Sequence, residues 1–380
     1  MKKLKHFLAA ALLLGLTPAA NAQTTVVDSF RHNNVWRSFR VYVPAALPTS
    51  APLILNLHGL GSNSLEQQQY SNFMPIADTA KFLMVYPQGL YNAQFGITYW
   101  NAGFPLTAST GTDDVGFLSA LIDTMQRRYQ TNPIRTYVTG MSMGGYMSDY
   151  LGCYLSGKIA AIASVTGSIV PGVQNSCSPS GLMPALHIHG TADATVPYGG
   201  NSNGLPIDSV VAHWRRVNQC TATPTVTALP NVNTTDSSTV TRSVWTNAAG
   251  TSSVEFYKVA NGGHTWPGAP YNVPGLVTNQ DFNASAEIWR FFRPYNRTSG
   301  LGTSTISPKG NSSVFPNPCV NVLALPEADA QSRVRIYTLT GSLVLDGSGN
   351  RIDVSGLPSG MYQVQYNHGE QQHHSRFAKQ

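Results

Sequence analysis

The stretch Gly140-Met141-Ser142-Met143-Gly144 constrains this chain more than any other. It follows a short apolar run, Thr136 to Thr139, and precedes a helical pattern from Gly145 to Leu155. A serine between two such glycines at a strand-to-helix turn is the pattern of a nucleophile elbow. The turn is so sharp that the serine takes a strained backbone conformation, and side chains at the glycine positions would collide. Its Oγ is then held out at the sheet edge, where the first N–H groups of the helix also point. The plainer alternative is a glycine turn with an incidental serine; the strand before it and the helix after it weigh against that.

A serine nucleophile needs a base and an acid to orient the base. In this arrangement they follow the serine in the order acid, then histidine. Downstream, Leu186-His187-Ile188-His189-Gly190-Thr191-Ala192-Asp193 reads as a strand running into a loop, with Asp193 at the loop tip. Farther on, His264 sits in Asn261-Gly262-Gly263-His264-Thr265-Trp266-Pro267, just after the apolar run Val254 to Val259. The candidate triad is Ser142, Asp193 and His264, with His264 taking the serine proton and Asp193 holding the imidazole tautomer. Asp208 and Asp281 are rival acids, but both read as helix N-caps. His187, His189 and His213 are rival bases, the first two in or beside a buried strand. Two backbone amides must receive the oxyanion. Met143, after the nucleophile, supplies one, and Leu60, in His58-Gly59-Leu60-Gly61-Ser62, is the choice for the other. Trp266 and Trp100 are candidates to wall a substrate pocket, with plain core packing as the competing reading. The segments Ala93 to Thr112 and Gly199 to Pro206 are expected to shape that pocket.

The surrounding pattern predicts an α/β fold. Leu53 to Leu57, Phe82 to Tyr86, Thr136 to Thr139, Ile159 to Val165, Leu186 to Ile188 and Val254 to Val259 are continuous apolar runs, the mark of parallel strands buried on both faces. Helical spacing separates them: Val115, Leu118, Leu121, Ile122, Met125 and Tyr129, then Val210, Val211, Trp214 and Val217, then Ile288, Phe291 and Phe292. Asp113 and Asp114 stand where the first of these helices would be capped. The expectation is an α/β-hydrolase domain over residues 23–297, with a mostly parallel sheet and helices on both faces. Residues 298–313 carry almost no core-forming side chains and read as a linker. Residues 314–380 show short alternating segments separated by glycines, which predicts a small antiparallel β-sandwich.

The first 22 residues read as a secretory signal: Lys2, Lys3 and Lys5, an apolar stretch from Phe7 to Leu16, and a small-x-small site at Ala20-Asn21-Ala22. That apolar run is too short for a membrane anchor, and no later segment spans. With the three lysines removed, the formal charge of +6 falls to +3. Charged residues make up 11% of the chain, against about a quarter in typical domains. With no run of lysine or arginine, nucleic acid is excluded as a partner. Four cysteines, Cys153, Cys177, Cys220 and Cys319, allow three connectivities. Export permits disulfides. Cys153 and Cys177 flank one predicted strand and could meet, giving one bridge and two free thiols. No metal and no organic cofactor is implied; His368, His373 and His374 lack ligand spacing.

The motifs His58-Gly59-Leu60-Gly61, Asp113-Asp114-Val115-Gly116-Phe117, Gly140 to Gly145, His189 to Asp193 and Gly263-His264-Thr265-Trp266-Pro267-Gly268, taken in order, resemble the polyhydroxybutyrate depolymerase and feruloyl esterase group of carbohydrate esterase family 1. The resemblance covers nearly all of residues 30 to 295. It implies carboxylic-ester hydrolysis through an acyl-enzyme, with the triad on the residues reached above. Members often carry a cysteine before the strand leading to the histidine; here Trp245 to Val254 has none, so Cys220 lacks that partner. Phe315-Pro316-Asn317-Pro318, Val334-Arg335-Ile336-Tyr337, Gly341 and Leu357 to Tyr362 resemble the type IX secretion sorting domain of Bacteroidetes. This implies passage through the periplasm of a Gram-negative cell to the medium or cell surface, with the type IX machinery as partner. A small carbohydrate-binding sandwich is the alternative.

The leading expectation is a secreted serine esterase acting on feruloyl or acetyl esters of plant polysaccharide. The runner-up is an extracellular polyhydroxyalkanoate depolymerase. From another class, an inactive surface carbohydrate-binding protein remains, though a binder has no need of a complete triad. The partner is then an ester-bearing polysaccharide, oligosaccharide or polyester.

Overall fold

Apolar runs too short for helices become the strands of one large sheet. The computed structural model describes residues 22–94, 96–297, 314–325, 328–338, 342–368 and 371–380, with the break between two compact units falling at residues 299 and 300. The expected signal segment, up to its last residue, and the expected linker lie outside the described residues.

In the first unit the strands are β1 (Thr24–His32), β2 (Val35–Val43), β3 (Leu53–Leu57), β4 (Leu83–Pro87), β5 (Leu90–Asn92), β6 (Ile97–Tyr99), β7 (Thr136–Met141), β8 (Ala161–Val165), β9 (Ala185–Gly190), β10 (Thr225–Ala228), β11 (Thr239–Thr246) and β12 (Ser253–Ala260). The helices are α1 (Ser64–Ser71), α2 (Met74–Ala80), α3 (Pro105–Ala108), α4 (Asp114–Tyr129), α5 (Met143–Tyr154), α6 (Val173–Ser176), α7 (Ile207–Val217) and α8 (Ala284–Phe292). Ten strands form one sheet in the order β1-β2-β4-β3-β7-β8-β9-β12-β11-β10. The six central strands, β4 to β12 in that order, run parallel, and antiparallel pairs flank them on both sides. β5 and β6 make a separate hairpin.

The two-residue period of a strand sorts side chains between two helical layers. Along β3, Leu53, Leu55 and Leu57 join a core with Phe117 of α4, Met147 of α5 and Trp214 of α7. Ile54 faces the other way, into a core with Tyr70 of α1, Ala77 of α2 and Phe291 of α8. The mostly parallel sheet with helices on both faces is the architecture the sequence predicts. The antiparallel pairs β1-β2 and β10-β11 are additions to it.

Cys153, near the end of α5, is bonded to Cys177, just after α6, with Cα atoms 4.7 Å apart. Cys220 and Cys319 are free thiols.

The second unit holds β13 (Val322–Ala324), β14 (Arg333–Thr338), β15 (Leu343–Ser348), β16 (Arg351–Asp353), β17 (Gly360–His368) and β18 (Gln371–Lys379). These pair antiparallel in two small sheets, β15-β14-β17-β18 and β13-β16. Val334, Ile336, Val364, Tyr366 and Phe377 of one sheet share a core with Leu323 and Ile352 of the other.

Candidate active site

Every candidate catalytic residue emerges at the carboxyl end of a parallel strand, where open α/β sheets place their ligands. Ser142 follows β7, the loop of Leu60 follows β3, Asp193 follows β9 and His264 follows β12. Ser142 stands at φ 56°, ψ −121°, between the end of β7 and the first turn of α5. That left-handed backbone is a strained setting for a residue with a Cβ, held by the packed strand and helix on either side. A Cβ on Gly144 would lie 2.1 Å from the carbonyl oxygen of Leu57, and one on Gly140 would lie 2.5 Å from the Gly144 carbonyl. No side chain fits at either position, so the two glycines are what let the elbow close against β3.

His264 and Asp193 meet across two loops. Nδ1 of His264 lies 2.7 Å from Oδ2 of Asp193. The other carboxylate oxygen, Oδ1, accepts the amides of Thr195 at 2.9 Å and Val196 at 2.8 Å. The loops are also tied by their backbones: Thr191 donates to the Val259 carbonyl and Ala192 to that of Gly262. Gly263 and the Thr265 side chain are held in turn by the carbonyl of Val277. The acid is buried, and the histidine keeps a small exposed edge. Ser142 Oγ donates to no protein group among the described residues.

The amides of Leu60 and Met143 also donate to no other protein group among the described residues. A Cβ on Gly59 would come 3.3 Å from Ser142 Cβ, which puts this loop directly against the nucleophile. Leu60, Ser142 and Met143 all open onto one cavity of about 640 Å³. Its walls are mainly apolar, with Ile97, Phe104, Leu106 and Tyr146 prominent, and Asn201 and Asn203 are on its rim. Both segments expected to shape a pocket contribute to it. Phe104, Leu106 and Tyr146 were not singled out by sequence, since nothing in their spacing separates a pocket wall from a core.

Two candidates need correction. Trp266 is buried, its Nε1 donating to Ser285 Oγ at 3.0 Å and its ring packed edge-on against Phe73. Trp100 is equally buried, with Nε1 donating to the His58 carbonyl at 2.9 Å. Neither lines the cavity; Trp100 is bonded to the loop of Leu60, and Trp266 is packed in the core just after His264. A tryptophan with a partner for its N–H is stable in a core, and sequence does not reveal the partner.

The rival residues have other duties. His187 is buried against Asp149 Oδ1 at 3.0 Å, an oxygen that also accepts Trp214 Nε1 at 2.7 Å. His189 Nε2 donates to the Val196 carbonyl at 2.8 Å and lies 3.5 Å from Asp193 Oδ2. Burial pushes its pKa down to about 4, so it stays neutral. His213 sits 3.3 Å from the sulfur of Cys177. Asp208 lies within the first turn of α7 and accepts the Tyr198 hydroxyl, the cap position being Pro206. Asp281 accepts from Asn233 and Asn279, while Asn283 caps α8. A buried pair that sequence did not suggest, Arg37 with Asp114 at 2.5 Å, ties β2 to α4. Asp114 also accepts the amide of Asn101, beside Trp100.

In the C-terminal unit, His373 stacks on Tyr366 with ring centroids 5.2 Å apart. The side chains of His368 and His374 lie outside those described.

Comparisons with known proteins agree with this fold. Residues 40–204 match the phospholipase/carboxylesterase family, and residues 313–380 match the secretion system C-terminal sorting domain. A bifunctional acetylxylan esterase/xylanase of Neocallimastix patriciarum is 32% identical over 174 residues, covering 46% of this chain but only 24% of the fungal protein. A poly(3-hydroxyalkanoate) depolymerase of Paucimonas lemoignei is 26% identical over 294 residues, 74% of this chain and 70% of that one. The acetyl xylan esterase structure from Aspergillus awamori superposes with a TM-score of 0.51 at 16% identity, over 72% of this chain and 99% of its own, a likeness of fold. The first unit thus has an α/β-hydrolase fold, with residues 40–204 similar to the phospholipase/carboxylesterase family, and residues 313–380 match a secretion system C-terminal sorting domain.

Proposed function

We propose that the protein is an exported serine esterase that releases hydroxycinnamoyl groups from plant polysaccharide by way of an acyl-enzyme on Ser142. The observation that carries this reading is the bonded pair His264 and Asp193 at the sheet edge where Ser142 stands in its elbow over a large apolar cavity. His264 takes the Ser142 proton as Oγ attacks the ester carbonyl. The amides of Leu60 and Met143 receive the developing oxyanion. As the ester C–O bond breaks, His264 gives the proton to the departing sugar oxygen, which leaves as the free hydroxyl, and water repeats the sequence on the acyl-enzyme. Asp193 keeps the histidine proton on Nδ1, leaving Nε2 to act as base.

The choice of acyl group rests on the cavity. A two-carbon acetyl group would leave most of its 640 Å³ unfilled, whereas an aromatic ring can pack against Ile97, Phe104 and Tyr146. Polyester depolymerisation is the second reading, supported by the extent of the match to the Paucimonas lemoignei depolymerase. Export by the type IX route is proposed from the sorting domain. Among the described residues no helix is long and apolar enough to cross a membrane.

The test is a panel of methyl ferulate, acetylated xylan, a short p-nitrophenyl ester and polyhydroxybutyrate, given to the protein and to its Ser142→Ala variant. The proposal expects methyl ferulate to be the best substrate and the variant to be inactive. Preference for polyhydroxybutyrate would favour the second reading. Failure on all four would end the esterase assignment as stated.

A further inference from the structure

The apolar cavity lies on one side of Ser142. Phe104 and Tyr146, on its walls, belong with the core that packs on α4, α5 and α7. His264 is not among the lining residues, and the chain after it turns to the other face of the sheet, where Trp266 joins the core of α1, α2 and α8. A departing alcohol has to meet the histidine that protonates it. With the acyl group in the cavity, the alcohol therefore leaves over this second face.

The second face carries a fixed aromatic ring. Tyr70 of α1 is buried, and its hydroxyl oxygen accepts the Trp266 amide at 3.2 Å, two residues after His264. Tyr271 lies against Tyr70, with ring centroids 5.1 Å apart, and is 49% exposed. Glu66 stands close by: burial first, and then this carboxylate, raise the pKa of the Tyr271 hydroxyl. Glu66 is exposed in the first turn of α1, and its Oε2 accepts the Ser62 hydroxyl at 2.7 Å. Its Oε1 has no hydrogen-bond partner among the described residues. Ser62 belongs to the loop of Leu60. The ring is thus tied to the loop of His264 through Tyr70, and the carboxylate to the loop of Leu60 through Ser62, so the patch bridges the two loops.

We propose that Tyr271 and Glu66 form a sugar-binding site for the departing polysaccharide: the exposed Tyr271 ring takes the C–H face of a sugar ring, and Glu66 Oε1 accepts from its hydroxyls. The proposal rests on the esterase reading above and narrows it. A carboxylate only accepts, and so do the carbonyl and ester oxygens along a polyester, so Glu66 offers that chain no hydrogen bond. Sugar hydroxyls donate. A tyrosine already held by a buried neighbour also loses little freedom when a ring docks on it.

The test compares two substrates with one acyl group, methyl ferulate and a feruloylated arabinoxylan oligosaccharide, on the full chain. Tyr271→Ala should lower kcat/KM for the oligosaccharide about tenfold more than for methyl ferulate, through KM rather than kcat. Tyr271→Phe keeps the ring and should restore the parent's ratio between the two substrates. Glu66→Gln should lower that ratio about threefold, since a charged acceptor is lost. Equal losses on both substrates in Tyr271→Ala, or no loss on the oligosaccharide, would overturn the proposal, as would a loss in Tyr271→Phe as large as in Tyr271→Ala. A parent protein that hydrolyses no ester defeats the esterase reading instead. The sugar site is then decided by calorimetric titration of the Ser142→Ala protein with an unesterified arabinoxylan oligosaccharide. Saturable binding that Tyr271→Ala weakens about tenfold supports the site, and no binding overturns it.

Discussion

Asp193 grips His264 with one oxygen only: Oδ2 takes the imidazole Nδ1 at 2.7 Å, while Oδ1 is occupied by the amides of Thr195 and Val196. This asymmetry fixes what Asp193→Asn would do. The side-chain oxygen must remain at the Oδ1 position to meet two N–H donors, so its NH₂ group is turned toward His264. The histidine then has to present a bare Nδ1 and carry its proton on Nε2, the tautomer that cannot act as base. The expected loss is about 10⁴-fold in kcat with KM nearly unchanged. Steady-state kinetics on a p-nitrophenyl ester check this, and a melting temperature near that of the parent would show that the fold is intact.

The cavity wall offers a test of acyl selection. Leu106 lines the cavity and is otherwise exposed, so it can be enlarged with little strain. Leu106→Trp should lower kcat/KM for methyl ferulate by about tenfold or more, while a short acetyl ester changes little. Equal changes on both esters would mean that Leu106 does not face the acyl group.

Stability should fall on mild acidification. His58 and His189 are held at about pH 4 by burial, against an ordinary value of about 6.5. Between those values the unfolded rings are protonated and the folded ones are not. The unfolded state then binds more protons, so stability declines as pH drops from 6.5 toward 4. Each ring contributes up to about 3 kcal/mol across that window. His213, also pushed down by burial, acts in the same direction. Asp28 and Asp113, held below the usual carboxylate value mainly by their hydrogen bonds, add further loss only at lower pH. Calorimetry from pH 8 to 4 should show a flat melting temperature above pH 7 and a steep fall below pH 6.5. A flat profile down to pH 4.5 would contradict the burial argument.

The disulfide closes a loop of 24 residues between the end of α5 and the segment after α6. Constraining such a loop in the unfolded chain stabilises the domain by about 3 kcal/mol. In a domain of this size, Cys153→Ser with Cys177→Ser should lower the melting temperature on the order of 5 °C. Reduction of the parent should reproduce the shift. Because the bridge lies at the far end of α5 from Ser142, kcat at room temperature should be unaffected.

What was legible in the sequence follows from how tightly a residue is bound to local geometry. Gly140 and Gly144 could be read because no other residue fits where they stand. The loop positions of Asp193 and His264 could be read because each follows a run of strand-forming residues. The fates of Trp100 and Trp266 were not legible, because what decides between wall and core is a distant acceptor: the His58 carbonyl, 42 residues from Trp100, and the Ser285 hydroxyl, 19 from Trp266. The Arg37–Asp114 pair, 77 residues apart, was hidden for the same reason. The β1-β2 hairpin left a readable trace that passed unused. Asn33 and Asn34, both at positive φ, form its turn, and Asn is among the residues that accept such backbone.

The backbone bonds from Thr191 and Ala192 to Val259 and Gly262 tie the loops of Asp193 and His264 into one bracket, while much of the cavity wall comes from residues 97–110 and 201–203. On the proposed esterase reading, the bracket that would do the chemistry and most of the wall that would choose the cargo are then different parts of the chain. Under that reading, exchanging the excursions around residues 93–112 and 199–206 would change what is accepted without resetting the bond between Asp193 and His264.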